Sequence, residues 1–399
     1  MILTKIKAFF NRWKQAKRYN WKKYDYSILI IVTLLSIISS YVLSIIGASS
    51  FKRQFIAISL TVVIMVVVSL IDYHTMCSYV PILYVIGTIS VFCTKFTPLG
   101  SNSGTDSYRW LDFKILMFQP SEVVKIIIIL TLATFFAHYK DDLQSFKIFF
   151  MACGLALLPT LFILVQSDLS SSVVIVMVFV IMLMSSGIGR KIIAPIAAVL
   201  IPIAGFLIWY VQQPNQKLLH GYQLSRITGW LNPESAALSV MYQQNNSVLS
   251  IASGKLYGKM LIEGSSGARN YTAVDVIESD FIWTPISEEF GFIGCLAILS
   301  LLSVIIIKSF IAAKRAKDYQ GMMIALGIGS MFCFQVFFNI GVATSLLPNT
   351  GLPLPFLSNG ISSLISSSMA VGILINIGIQ PNRGGVGSFV ETLDQETNY

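Results

Sequence analysis

The sequence predicts an all-α polytopic membrane protein of about ten transmembrane helices, with both ends in the cytoplasm (N-in/C-in). Composition is the first reason. The 399 residues are 55% apolar and only 12% charged, about half the charge of ordinary soluble domains, and mean hydropathy is +0.72. Segmentation is the second: the apolar residues fall into separate runs, most near the ~20 residues that a spanning helix needs. The third is charge. With both ends inside, the cytoplasmic segments hold the whole +9 and the outer segments are neutral, as the positive-inside rule requires. These features exclude a disordered chain, a soluble enzyme and a nucleic-acid partner.

The runs, in order, are Tyr26–Gly47, Phe55–Ile71, Val80–Thr94, Gln119–Ala137, Phe149–Val165, Leu169–Gly187, Ile192–Val211, Pro285–Ile307, Gln320–Thr344 and Gly360–Ile379. The first is too long for a cleavable signal and reads as a signal anchor. Residues 1–25 form a basic segment in which Ile6, Phe9, Phe10 and Trp13 share a helical face, suited to the inner leaflet. Residues 26–380 form the membrane domain, and residues 381–399 a cytoplasmic tail. The five cysteines are scattered and give no disulfide framework, and the three histidines are too far apart for a His-based metal site.

Long connections fall on the outer side. They are Lys95–Phe118, a large extracellular loop of about 212–284 between the seventh and eighth spans, and the Pro- and Gly-rich Leu346–Asn359. Ionisable residues at membrane depth are functional candidates. Glu122 and Lys125 open the fourth span after Pro120; they are able to pair at i,i+3, so a helix-start ion pair and a direct role both stand. Asp168 precedes the sixth span and reads first as its N-cap. Asp280 lies about one turn ahead of the eighth span, where Thr284-Pro285 reads as cap and first-turn proline. Phe281, Ile282 and Trp283 should limit water there, and Glu278 should add a like charge, both raising the Asp280 pKa toward general-base use. Glu288 and Glu289 follow in the first turns, suited either to the helix dipole or to the bundle interior. Arg109 suits an anionic diphosphate, and Trp110 suits the interfacial aromatic belt. An outward-facing site for a lipid-linked anion fits this set, and so does a transporter's outer gate.

Four blocks together resemble one family, the SEDS proteins (shape, elongation, division and sporulation) of bacterial cell-wall synthesis. They are Tyr108-Arg109-Trp110-Leu111 through Gln119-Pro120-Ser121-Glu122-Val123-Val124-Lys125; Tyr222-Gln223 through Tyr242-Gln243; Ser279-Asp280-Phe281-Ile282 with Glu288-Glu289-Phe290-Gly291; and Gln335, Asn339-Ile340-Gly341 with Leu347 to Ser358. The Tyr222-Gln223 text and the Leu352-Pro353-Leu354-Pro355-Phe356 hairpin are more similar to the RodA branch than to the FtsW branch. Ser167-Asp168-Leu169-Ser170-Ser171 departs from the Pro-Asp-Leu-Gly-Thr text common in the family.

The resemblance implies an inverting peptidoglycan glycosyltransferase that polymerises lipid II, an undecaprenyl-diphosphate-linked disaccharide-peptide, into glycan strands at the outer face. It places the catalytic Asp on Asp280. Arg109, Trp110, Glu122, Lys125, Asp168, Glu288, Pro348, Thr350, Pro355 and Ser358 are the expected binding or supporting residues. No fixed cofactor is expected; a weakly held Mg²⁺ or Mn²⁺ at the diphosphate stays open. Expected partners are lipid II and the growing strand, a class B penicillin-binding protein for crosslinking, and other elongation or division proteins. A lipid II flippase or a non-catalytic scaffold are the alternatives.

Overall fold

The computed structural model describes residues 19–47, 51–98, 100–101, 108–112, 117–189, 222–231, 241–260 and 269–380, with isolated positions between 194 and 213. The helices among them are α1 (Tyr26–Ile45), α2 (Phe51–Ser69), α3 (Tyr73–Ser78), α4 (Val80–Phe96), α5 (Pro120–His138), α6 (Phe146–Val165), α7 (Leu169–Ser185), α8 (Tyr222–Leu231), α9 (Tyr242–Ser253), α10 (Trp283–Arg315), α11 (Tyr319–Ala343) and α12 (Ile361–Ile379). Six of these are long and apolar enough to cross a membrane, and apolar stretches at Phe55–Ser69, Val80–Phe96 and Leu169–Ser185 are shorter. Nine of the ten predicted runs are thus helical among the described residues. The seventh, Ile192–Val211, lies mostly outside them, as do the basic segment through residue 18 and the tail from 381.

The helices begin where the local chemistry supplies caps. Asp25, Asp72, Asp168 and Asp318 each accept a backbone N–H at the start of α1, α3, α7 and α11, and prolines open α4 and α5, where a missing N–H costs nothing. Helices α5, α11 and α12 bury most of their surface, whereas α1, α6 and α10 keep broad apolar faces outward. Helix α11 packs on α10, α7 and α5, and α12 packs on α2 and α5. Lipid tails give no hydrophobic preference for helix–helix contact, so close approach at small residues has to supply it. A Cβ on Gly372 would lie 2.8 Å from the Met65 carbonyl oxygen, and one on Gly329 would lie 3.0 Å from the Ser309 Cβ.

Three features differ from the sequence expectation. First, the outer loop after α4 holds a small antiparallel sheet, ordered β1 (Gly100–Ser101), β2 (Trp110–Asp112), β3 (Met117–Phe118), with Ser101 opposite Trp110. Second, the large outer loop contains α8, α9 and a 3₁₀ turn at Asn270–Ala273. Third, Thr284 does not cap the eighth span. Helix α10 starts at Trp283 with Ile282 at the cap position, and the Thr284 hydroxyl instead bonds Ser247 Oγ at 2.5 Å.

Helix α10 is also broken. Gly291 takes φ 65° and ψ −169°, a conformation open to glycine. The freed groups are taken up by the segment after α9: Lys259 and Met260 N–H donate to the Glu288 and Glu289 carbonyls, and Phe292 and Ile293 N–H donate to those of Lys255 and Leu256. Non-helical backbone at membrane depth needs this replacement.

On the cytoplasmic side, His74 bridges two carboxylates, with Nδ1 at 2.8 Å from Asp72 and Nε2 at 2.6 Å from Asp318. Tyr73 and Gly321 also donate to Asp318, and Gln380 donates to Asp72. The turns before α3 and α11 and the end of α12 are thereby clasped. Burial opposes the charged ring, but Asp318 and Asp72 outweigh it and push the His74 pKa up to about 9 from 6.5. A raised folded-state pKa stabilises fully below the unfolded value and is lost as pH rises through 9. The thermal midpoint in detergent should therefore fall between about pH 7 and 9.5, by on the order of 2–3 kcal/mol in stability. His74→Gln should remove that slope; an unchanged slope in the variant would show that the clasp is not its source.

Candidate active site

Asp280 lies in the turn just ahead of α10. The sequence holds that turn at both ends: Phe281, Ile282 and Trp283 are buried in the core, and the residues before them are tied to the Pro-rich hairpin of residues 347–359. Ser358 Oγ donates to the Ser279 carbonyl at 2.6 Å, and the Asn359 N–H donates to that of Glu278 at 2.7 Å. Ser358 Oγ also accepts the Leu354 N–H. From α11, buried Asn339 donates both amide hydrogens, to the carbonyls of Asp280 at 2.9 Å and Leu352 at 2.7 Å. One carboxamide thus spans the turn and the hairpin.

The hairpin backbone passes directly under the carboxylate. Gly351 has φ 77°, and a Cβ there would lie 2.9 Å from Asp280 Oδ2 and 3.8 Å from Arg109 Nη1. Pro355 is buried and Pro348 half-buried, on either side of this approach. Phe356, beside Pro355, takes φ 64° and packs on Phe332. Such a conformation in a bulky residue stores of order 1–3 kcal/mol.

Cations come from two other elements. Arg109, at the edge of β2, donates through Nη2 to the Ser167 carbonyl at 2.6 Å. Arg226 of α8 donates to the Asn349 carbonyl at 3.1 Å. Ser170, in the first turn of α7, donates to the Thr350 carbonyl. Burial pushes the Asp280 carboxyl up; the Ser279 hydroxyl and the charges of Arg109 and Arg226 pull it down, and Asp168 pushes it up again, the net result being upward. The strongest like charge acting on Asp280 is Asp168, while the Glu278 carbonyl ties the turn to the hairpin.

Several buried polar atoms in this group have no hydrogen-bond partner among the described residues: Arg109 Nε, Asn339 Oδ1, Asn349 Oδ1 and Thr350 Oγ1. Buried polar groups are nearly always satisfied, so these four atoms keep capacity for a further partner beside the half-buried carboxylate. Among the described residues no group of three or more His, Cys, Asp or Glu could hold a metal ion.

The remaining candidates separate. Glu122 and Lys125 pair at 2.8 Å, both only 2% exposed, and Ser366 on α12 donates to the Glu122 carbonyl. The helix-start ion pair is present: Glu122 occupies the first turn of α5 with Lys125 as its partner. Trp110 is half-buried in β2. Asp168 caps α7 and accepts from Gln119 and Ser121 as well. Glu288, expected among the binding or supporting residues, is fully buried under the outer loop, accepting from Ser250, Lys259 and the Asn270 and Tyr271 N–H groups. Glu289 pairs with Arg269 at 2.9 Å. The break at Gly291 turns these two acids toward the loop, which spacing along an ideal helix does not reveal. Arg226, Asn339 and Ser170 were not singled out from the sequence as site residues. Arg226 and Asn339 stand within the blocks quoted above, the only signal that could have found them.

Comparison with known proteins agrees with this picture. The FtsW/RodA/SpoVE family, described as cell cycle proteins, matches residues 20–382. The chain belongs to that family. It is 33% identical over 328 residues to stage V sporulation protein E of Bacillus subtilis, covering 82% of this chain and 86% of that one. It is 31% identical over 366 residues to the peptidoglycan glycosyltransferase MrdB of Escherichia coli K12, covering 90% and 95%. Its fold matches a chain from the solved structure of a peptidoglycan synthase complex that coordinates polymerization and crosslinking, with a TM-score of 0.70 at 22% identity over 90% of this chain and 98% of that one. The family and the spans together make it a multi-pass protein of the bacterial cytoplasmic membrane.

The Asn339 clamp can be tested directly. Asn339→Leu leaves the buried Leu352 carbonyl and the half-buried Asp280 carbonyl without their donor, at a cost of about 1–3 kcal/mol for the buried one. The thermal midpoint in detergent should fall accordingly, and a midpoint equal to wild type would show that water or another donor takes its place.

Proposed function

We propose that this family member polymerises lipid II at the outer membrane face, with Asp280 as general base. The observation that carries this reading is the arrangement of one raised, half-buried carboxylate between two arginines, with unpartnered polar atoms around it. The names of the relatives support the same activity.

The leaving group of lipid II is a polyprenyl diphosphate, which departs without protonation. One carboxylate therefore suffices, where glycoside hydrolysis needs two. Asp280 takes the proton from the 4-hydroxyl of the acceptor sugar as its oxygen attacks the donor's anomeric carbon. The new C–O bond forms as the bond to the diphosphate breaks on the opposite face, inverting the centre, and the proton then passes from Asp280 to outer water. A base held near operating pH contributes about 10²–10⁴-fold. Arg109 and Arg226 neutralise the charge developing on the diphosphate, an effect of about 3 kcal/mol per donor in comparable sites. A Mg²⁺ or Mn²⁺ ion would enter with the diphosphate rather than as a resident of the protein. The broad apolar faces of the bundle accommodate the polyprenyl chains.

A lipid transporter would gather its polar groups near the bilayer midplane. Here they collect at the outer starts of α5, α7 and α10 and on the hairpin, which favours surface chemistry. Crosslinking falls to a separate transpeptidase of the class B penicillin-binding type, a pairing in keeping with the synthase complex that shares this fold. Other elongation or division proteins would join the same assembly.

The deciding experiment gives purified protein, with and without a class B partner, labelled lipid II in liposomes. Wild type should give a polymer ladder, while Asp280→Asn should melt like wild type and give none. Polymer from the variant would remove Asp280 as the base; no polymer from wild type would redirect the reading to translocation. Gly351→Ala should lose at least about tenfold in rate, because its Cβ meets the carboxylate and small misplacements are costly. A wild-type rate would mean that the hairpin does not set the position of Asp280.

A further inference from the structure

Asp168 carries more than a helix cap requires. It is 1% exposed, and the partners of its carboxylate are neutral: Ser171 N–H at 3.2 Å, Gln119 Nε2 at 3.3 Å and Ser121 Oγ at 3.2 Å. Ser, Thr or Asn would cap the helix as well, and burying a charge among neutral donors is costly. Capping alone therefore does not account for a carboxylate here.

Its neighbours in the chain do account for it. Ser167 takes φ 63°, which directs its carbonyl to Arg109. Ser170, two residues beyond Asp168, holds the Thr350 carbonyl of the hairpin. Thr350 precedes Gly351, the residue that lies against both Asp280 and Arg109. The charges that act most strongly on Asp280 are Arg109 from the edge of β2, Arg226 from α8 and Asp168 from the start of α7; its own turn adds the Ser279 hydroxyl and carries the Glu278 carboxylate, and Asn339 of α11 meets its backbone carbonyl.

We propose that Asp168 is a positioning residue for the transfer: it locks the turn through which Ser167 holds Arg109 and Ser170 holds the hairpin, and it supplies the negative charge that offsets the two arginines around Asp280. This rests on the polymerase reading. Asp168 touches no reacting atom; it acts through Arg109, the hairpin and its field at Asp280. Removing its charge lets the arginines hold the Asp280 carboxyl lower.

The test separates this role from a cap and from the polymerase reading. Dicyclohexylcarbodiimide modifies protonated carboxyls in apolar surroundings, and mass spectrometry of the Asp280 peptide across pH reads its protonation without any turnover. Asp168→Asn and Asp168→Ser both keep a capping acceptor. In each, half-labelling of Asp280 should move to lower pH by about half a unit or more, and the acid limb of the polymerisation profile should move the same way. The kcat should fall about tenfold or more, with KM within about twofold of wild type. Ser170→Ala cuts the hairpin contact and leaves the cap, and should likewise lower kcat but not raise KM. A labelling curve that coincides with wild type overturns the electrostatic half, whatever the turnover assay gives. A wild-type kcat in Ser170→Ala overturns the positioning half. Failure of the polymerase reading would show instead as no polymer from wild type, with the labelling result still standing.

Discussion

Irregular backbone can enter a bundle of apolar helices only if something takes up its hydrogen-bonding groups, and around Asp280 a single carboxamide meets much of that demand. Asn339 sits on α11, one of the most buried helices, and its amide reaches a carbonyl on each of two non-helical segments. The turn before α10 and the hairpin before α12 are therefore referenced to the same rigid helix. Everything else in the site hangs from this arrangement. Gly351 comes under the carboxylate because Leu352 is fixed, and Ser170 and Arg226 meet the hairpin because its carbonyls at Thr350 and Asn349 are presented outward to them.

A second constraint operates at the break in α10. Gly291 interrupts the helix just inside the outer surface, and the segment 255–260 replaces the lost bonds. Glu288 and Glu289 then fasten the loop that supplies those replacements. The acids that composition marks out as functional candidates are in this case structural: they keep the outer loop seated, and with it α9. Helix α9 in turn covers the carbonyl end of α11 through Gln244 and Ser247.

Charge is handled differently on the two faces of the membrane. Inside, His74 lies between two carboxylates that it fully engages, which makes a clasp. Outside, Asp280 lies in the field of Arg109 and Arg226, and buried polar atoms of Arg109, Asn339, Asn349 and Thr350 have no partner among the described residues. A closed network stabilises the fold; an open one retains the free energy of its unmade contacts for a ligand.

Sequence alone determined the fold class, the span positions, the sidedness and the acid worth attention, because each rests on short-range physics. Hydropathy runs set the spans, Lys and Arg set the orientation, and Pro120 and Asp168 mark helix starts. The family text around Asp280 was equally plain. Tertiary structure alone decided which polar residues meet. Glu288 stands eight residues from Asp280 and belongs to another network, while Asp168, Arg226 and Asn339, on three different helices or their caps, converge on it. Sequence distance says nothing about a bend at Gly291 or about which helix end faces a hairpin. Those depend on the whole bundle satisfying its buried backbone at once, a condition that no local pattern encodes.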